Sequence, residues 1–222
     1  MCGLSLKLNL TMNYLSTFKA SYRAVVCCIA MALLTSISAK AQASVDEDNV
    51  DEADLTVEQN INTPQIRKKA QKATACSEID ALRRALISKG YDAKSVRNGE
   101  VLKITIPCSK LFAANDTVLK ASGCMYLKAL EPIIKKPTSY KVIAAVHCDD
   151  TGDDIYATDL TEARANAIDE YLWELSGQME TYLIPYGIGH DEPLVKDNSI
   201  ANRATNRRVD FFIVPLEPLY KR

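Results

Sequence analysis

The residues best suited to chemistry in this chain are an acid and a base, placed where two successive elements would bring them to one edge. Asp149 lies in the run Val146-His147-Cys148-Asp149-Asp150-Thr151-Gly152. Arg164 follows fifteen residues later in Leu160-Thr161-Glu162-Ala163-Arg164-Ala165. A carboxylate can hold an ammonium group, and a guanidinium can hold a carboxylate through two parallel hydrogen bonds that a lysine cannot supply. A ligand carrying both charges on one short chain suits such a pair. A third cluster, Asn206-Arg207-Arg208-Val209, adds two cations near the end of the chain.

Other chemistries find less support. His147 beside Cys148 suggests a thiol and its base, but neighbours in a strand point to opposite faces and cannot meet. Asp150, Asp153 and Asp154 lack the Asp-x-Asp-x-Asp-Gly spacing of a calcium loop. No Cys-x-x-Cys or Cys/His spacing marks a zinc site. No Gly-x-Ser-x-Gly turn marks a hydrolase, and His147 and His190 are the only histidines. The pattern therefore implies binding rather than catalysis, without a metal or cofactor.

Several elements must position the pair. The apolar run 142–146 reads as a central strand that carries Asp149 at its end. Asp159 with Glu162 forms a capping-box signature for a helix whose stripe is Leu160, Ile168, Leu172 and Leu175, with Gly177 beyond its end. The first N–H groups of that helix would favour an anion. Upstream, Ser77-Glu78-Ile79-Asp80 opens a helix with Ile79, Leu82, Leu86 and Ile87 on one face, stopped by Gly90. Asn98-Gly99 signals a turn, and 101–106 alternates as a strand up to Pro107. A loop with Phe112, Asn115 and Asp116 leads to a helix over 123–134. A third strand spans 182–189, a polar stretch over 191–204 crosses the rim, and 208–214 forms the last strand. This order predicts an α+β domain with helices packed on one face of a mixed sheet.

The ends differ in character. Lys19 and Arg23 precede the uncharged apolar run 24–34, and Ala39-Lys40-Ala41 and Ala41-Gln42-Ala43 offer small-residue cleavage sites, so 1–43 reads as a signal peptide. The valines before Cys27 and Cys28 do not make a lipobox. Residues 44–75, acidic first and then basic, read as a charged flexible linker, which leaves a domain over 76–222 with its core at 101–215. The segment through Ala43 holds Lys7, Lys19, Arg23 and Lys40 and no acid, so 23 basic residues remain against 28 acidic ones. A balance of −5 gives no electrostatic claim on nucleic acid. Cys76, Cys108, Cys124 and Cys148 remain after cleavage, either as buried thiols or in one of three disulfide pairings.

Taken together, the three motifs resemble the OmpA-like peptidoglycan-binding domain family, represented by the OmpA C-terminal domain, Pal and MotB. That family reads Gly-His-Thr-Asp, a short loop, Asn-x-x-Leu-Ser-x-x-Arg-Ala and a late Asn-Arg-Arg-Val. The resemblance implies a βαβαββ domain that binds the diaminopimelate stem peptide of peptidoglycan, Asp149 taking the ammonium and Arg164 the carboxylate. Thr161 stands at the family's Ser and would support the helix start, while Asn206, Arg207 and Arg208 would brace the site. Val146, Cys148 and Ala157 depart from the family's Gly, Thr and Asn. The implied role is a periplasmic wall tether of the Gram-negative envelope, attached to the outer membrane through a partner among outer-membrane or envelope-complex proteins. The alternative is an envelope protein-protein module of the same fold that no longer binds peptidoglycan. Whether Asp149 and Arg164 are consumed by pairing with each other, Arg207 or Arg208 separates the two.

Overall fold

The computed structural model describes residues 55–150, 152–177 and 183–221; the expected signal peptide and linker residues 44–54 lie outside this set. Five strands form one mixed sheet: β1 Asp92–Val96, β2 Val101–Pro107, β3 Tyr140–His147, β4 Leu183–Gly189 and β5 Arg208–Pro215, in the order β1-β2-β5-β3-β4. Only β3 and β4 run parallel, and the other neighbours are antiparallel. The last strand thus enters the middle of the sheet, between β2 and β3.

Period-two alternation divides the side chains between two faces. Ile104, Ile106, Val142, Ala144, Val146, Val209, Phe211 and Ile213 pack into the main core with the helices. Over them lie α2 Lys69–Ile87, the short turns α3 Cys108–Leu111, α4 Ala121–Leu127 and α5 Glu131–Ile134, and the long α6 Asp154–Leu175. Ile168 and Leu172 of α6 are fully buried, as the apolar stripe requires. On the opposite face Val101, Ile143 and Val214 form a smaller cluster covered by Val57 and Ile61 of α1 Val57–Asn62. The remaining helices of the described residues are α7 Ile200–Asn206 and α8 Glu217–Tyr220.

Four expectations are corrected. The stretch 55–75 is not all linker: α1 opens with a Thr56/Gln59 capping box, and α2 starts at Lys69 rather than at Ser77. Lys72 in its first turns pairs with Glu100, which is buried and needs a cation, and Ala75 packs with Ile66 and Tyr220. An edge strand, β1, precedes the Asn98-Gly99 turn; its Lys94 and Ser95 are exposed, so it carries little hydrophobic signal. The helix over 123–134 is broken into α4, a 3-10 turn at Lys128–Leu130 and α5, with Pro132 in the first turn of α5. Finally, α6 begins at Asp154, capped by the Asp153 carboxylate accepting from the Tyr156 N–H at 3.0 Å, so Asp159 lies inside the helix. The expected free N–H groups at 159–162 are therefore intrahelical.

The contact between α6 and β4 leaves no room for a side chain. A Cβ on Gly187 would stand 2.4 Å from the Glu162 backbone nitrogen and 2.7 Å from its Cα. Gly187→Ala is expected to lower stability by about 1–3 kcal/mol through overpacking, read as a shift of the urea midpoint. Gly177→Ala has open space around it but a φ of +81°, and should cost only about 1–2 kcal/mol of backbone strain.

Candidate functional site

The site is assembled where β3, β5 and α6 meet the loop 112–119. That loop is closed by a bridge between Phe112 and Leu119 and by the Lys120 N–H donating to the Leu111 carbonyl at 2.9 Å. Arg164, on the inward stripe of α6, is 3% exposed. Its Nε donates to the Asp116 carbonyl at 2.8 Å and its Nη2 to the Ala113 carbonyl at 3.3 Å. The guanidinium lies 5.0 Å from the Phe112 ring centroid, in cation–π range. Among the described residues no carboxylate forms an ion pair with it. A buried cation is held here by neutral carbonyls and a ring face alone.

Asp149 has a different environment. Its Oδ2 accepts from Arg207 Nη1 at 2.6 Å, with the acid side chain 15% exposed and the arginine 39% exposed. Arg164 and Asp149 do not pair with each other. Arg208, one residue on, turns to the other face of the sheet: its Nε donates to Asp210 Oδ2 at 2.8 Å and its Nη2 to the Glu192 carbonyl at 3.1 Å.

Thr161 and Asn206 bind backbone. Buried Thr161 accepts the Gly189 N–H at 2.9 Å and contacts the Ala157 carbonyl at 2.9 Å, linking mid-helix to the end of β4 rather than supporting a helix start. Asn206 accepts the N–H groups of Leu194 and Val195 at 2.9 and 3.1 Å and donates to Asp197 Oδ1 at 2.6 Å. Asp197 in turn accepts the Asp150 N–H at 2.6 Å. Asn206 therefore reaches the Asp149 loop through one intermediate residue.

Residues 111–207 match the OmpA family model. Over these residues the chain is OmpA-like. Among solved structures it is similar to a MotB-like protein from Desulfovibrio vulgaris, with 22% identity and a TM-score of 0.54 over 66% of this chain and 95% of that one. It is also similar to the periplasmic domain of MotB, with 19% identity and a TM-score of 0.50 over 80% and 90%. These likenesses show the fold. No helix among the described residues is long and apolar enough to cross a membrane.

The three departures from the family motifs sit quietly in the OmpA-like domain. Val146 is fully buried in the core and is not among the residues with positive φ, so its backbone does not require glycine. Cys148 is buried, with its sulfur 4.0 Å from the carbonyl of Ala157, so two departures face each other. Burial and the neighbouring Asp149 push the Cys148 thiol up to about 11. Burial, opposed by Arg164, pushes Cys108 up to about 12. Such thiols stay protonated at neutral pH and are poor nucleophiles. All four described cysteines are free.

Sequence reasoning missed the charged group on the opposite face of the sheet. Asp210, 1% exposed, accepts the Thr105 hydroxyl at 2.7 Å on Oδ1 and Lys103 Nζ at 2.9 Å on Oδ2, besides Arg208. His147 Nε2 lies 3.6 Å from the same Oδ2, pointing away from Cys148. Alternation alone would have put Lys103 and Thr105 on one face and Arg208 and Asp210 on one face. Joining the two sets requires the β2–β5 register, which is not written in either strand. Burial of Asp210 works against its ionisation, but the Thr105 and Lys103 hydrogen bonds and the Lys103 and Arg208 charges hold its carboxyl below the usual range. Burial, then the Arg208 charge, pushes the His147 imidazole down to about 4, against the pull of Asp210.

His147 consequently links stability to pH. The folded protein keeps it neutral down to about pH 4, whereas the unfolded chain protonates it near its ordinary value. Between those limits the unfolded state binds more protons, so stability falls as pH is lowered, by up to about 3 kcal/mol. Asp210, with its lowered value, adds a further loss only below the ordinary carboxylate range. Urea midpoints recorded from neutral pH down to pH ~4 should fall steadily in the parent, and this slope should flatten in His147→Gln.

Proposed function

We infer that this OmpA-like domain binds peptidoglycan non-covalently through the diaminopimelate of its stem peptides and so tethers an envelope component to the wall. One observation carries the reading: Arg164, inside the matched span, is a buried guanidinium whose charge no described carboxylate balances. A buried charge is costly until an anion meets it, and a ligand carboxylate supplies that anion. The longer of its two bonds, 3.3 Å to the Ala113 carbonyl, is the one a carboxylate would replace. Asp149 takes the ammonium in exchange for Arg207. Such a partly exposed pair is worth about 0–1 kcal/mol, so the exchange costs little.

In this reading residues 1–43 direct export, and the protein works in the periplasm, reaching the outer membrane through a partner. Each site is of modest affinity, and retention comes from the many copies of the stem peptide on one polymer. The reading assigns Asp149 and Arg164 to the ligand and Thr161 and Asn206 to support, while Arg207 is the counter-ion that the ligand displaces and Arg208 serves the opposite face. The protein-protein alternative draws on the same fold and on the Asp149–Arg207 pair, half of the internal pairing it requires.

Co-sedimentation with isolated diaminopimelate-type peptidoglycan tests the assignment. The parent should sediment, less so at high salt, since an exposed charge contact is screened. Asp149→Asn and Arg164→Lys, each checked for folding, should each lower the bound fraction by about tenfold, the worth of one charged hydrogen bond. Arg207→Ala removes only the competitor for Asp149 and should leave binding unchanged or tighter. Failure of the folded parent to sediment would turn the search to protein partners.

A further inference from the structure

A second site lies on the face of the sheet turned away from Arg164. A cleft of about 330 Å³ opens between α1, the loop at Glu192–Leu194 and the strands β2, β5 and β3. Its floor is the charged group described above: Lys103, Arg208, Asp210 and His147, with Ala145 beside them. Its walls are apolar, provided by Val57, Ile61, Leu194 and Phe212.

The floor is not electrically balanced. Two cations, Lys103 and Arg208, meet one anion, Asp210. The Asp210 oxygens are already occupied by Thr105, Lys103 and Arg208. Glu58 and Glu192 line the cleft but are exposed to water, which screens them. The Arg208 donors are committed to Asp210, the Asn206 carbonyl and the Glu192 carbonyl. Lys103 is 23% exposed and makes one ion pair, with its ammonium 5.4 Å from the Phe212 ring centroid. His147, only 2% exposed, has a ring nitrogen, Nδ1, that is buried without a partner. Leaving a buried polar atom unpaired costs about 1–3 kcal/mol, and native proteins rarely do so without a use for it.

The geometry points to a second ligand site in this cleft, for a small organic monocarboxylate with a short apolar body. The carboxylate lies against Lys103 and His147, and the body against Val57, Ile61 and Phe212. A single negative charge balances the floor, and the apolar walls favour a hydrocarbon body over an inorganic anion. The His147 ring then has two acidic neighbours, Asp210 at Nε2 and the ligand at Nδ1. It meets both as a donor only by taking up one proton from solvent, so ligand binding and His147 protonation are coupled. Arg208 and Lys103 oppose that proton, while Asp210, the ligand and, more weakly, Glu58 and Glu192 favour it. The site is independent of peptidoglycan binding, because it uses neither Asp149 nor Arg164.

The test follows the ring nitrogens of His147 and His190 by NMR in the 15N-labelled protein. Isobutyrate and isobutylammonium, matched in body and opposite in charge, are titrated at constant ionic strength. Isobutyrate should shift the His147 signals, saturating in the millimolar range expected for so small a ligand, and should move the His147 titration to higher pH. His190 should not respond, nor should isobutylammonium produce the effect. Lys103→Met should abolish the response and Lys103→Arg should retain it. No response of the parent to isobutyrate, an equal response to both salts, or an undiminished response in folded Lys103→Met would overturn the assignment.

Discussion

The insertion of the last strand into the middle of the sheet is the constraint on which the rest depends. β5 pairs with β2 on one side and β3 on the other, so nothing built from these strands is complete until the C-terminal segment arrives. Before that, β3 carries His147 and Asp149 with no partner for either. Afterwards Arg207 reaches Asp149, and Arg208 and Asp210 reach Lys103 and His147. The contacts are remote in sequence, and the entropy of closing those loops is spent before the contacts repay it. A late Asn-Arg-Arg-Val motif is therefore tied to an early strand end by the topology itself.

Arg164 shows how such a scaffold buries a cation without an internal counter-ion. Its guanidinium is removed from water, yet its partners are carbonyl oxygens and a ring face instead of a carboxylate. The carbonyls of Ala113 and Asp116 orient the fork without cancelling its charge. Because they belong to one loop, the arginine also fixes the loop's shape, and a change at Arg164 acts on position as well as charge.

The legible parts of the fold were those where one periodicity prevailed over a long enough stretch. Strand β3 is buried along its whole length and reads as an apolar run. The stripe of Leu160, Ile168 and Leu172 likewise marks α6. The start of α6 was misread because Asp159 and Glu162 imitate a capping box within a helix already capped by Asp153. α1 escaped notice because its cover of the sheet rests on Val57 and Ile61 alone, with buried Asn60 donating to Tyr186 and accepting from Lys141. Those partners lie 126 and 81 residues away, and no local pattern announces them. The Asp149–Arg164 motif was legible as a spacing, but the actual partners of the two residues, Arg207 and the carbonyls of loop 112–119, were not.

The adjacent arginines show why that distinction matters for function. Arg207 and Arg208 are chemically identical in the sequence and sit in one motif, yet they serve opposite sides of the sheet. Arg207 meets a carboxylate near water, where the pair is weak and exchangeable. Arg208 meets Asp210 where both are 4% exposed or less, and removing Asp210 would strand a buried cation, at a cost of about 3–5 kcal/mol. The same residue type is thus a replaceable counter-ion on one side and a fixed part of the fold on the other. Burial makes the difference, and burial follows from the alternation of β5 once its neighbours are in place.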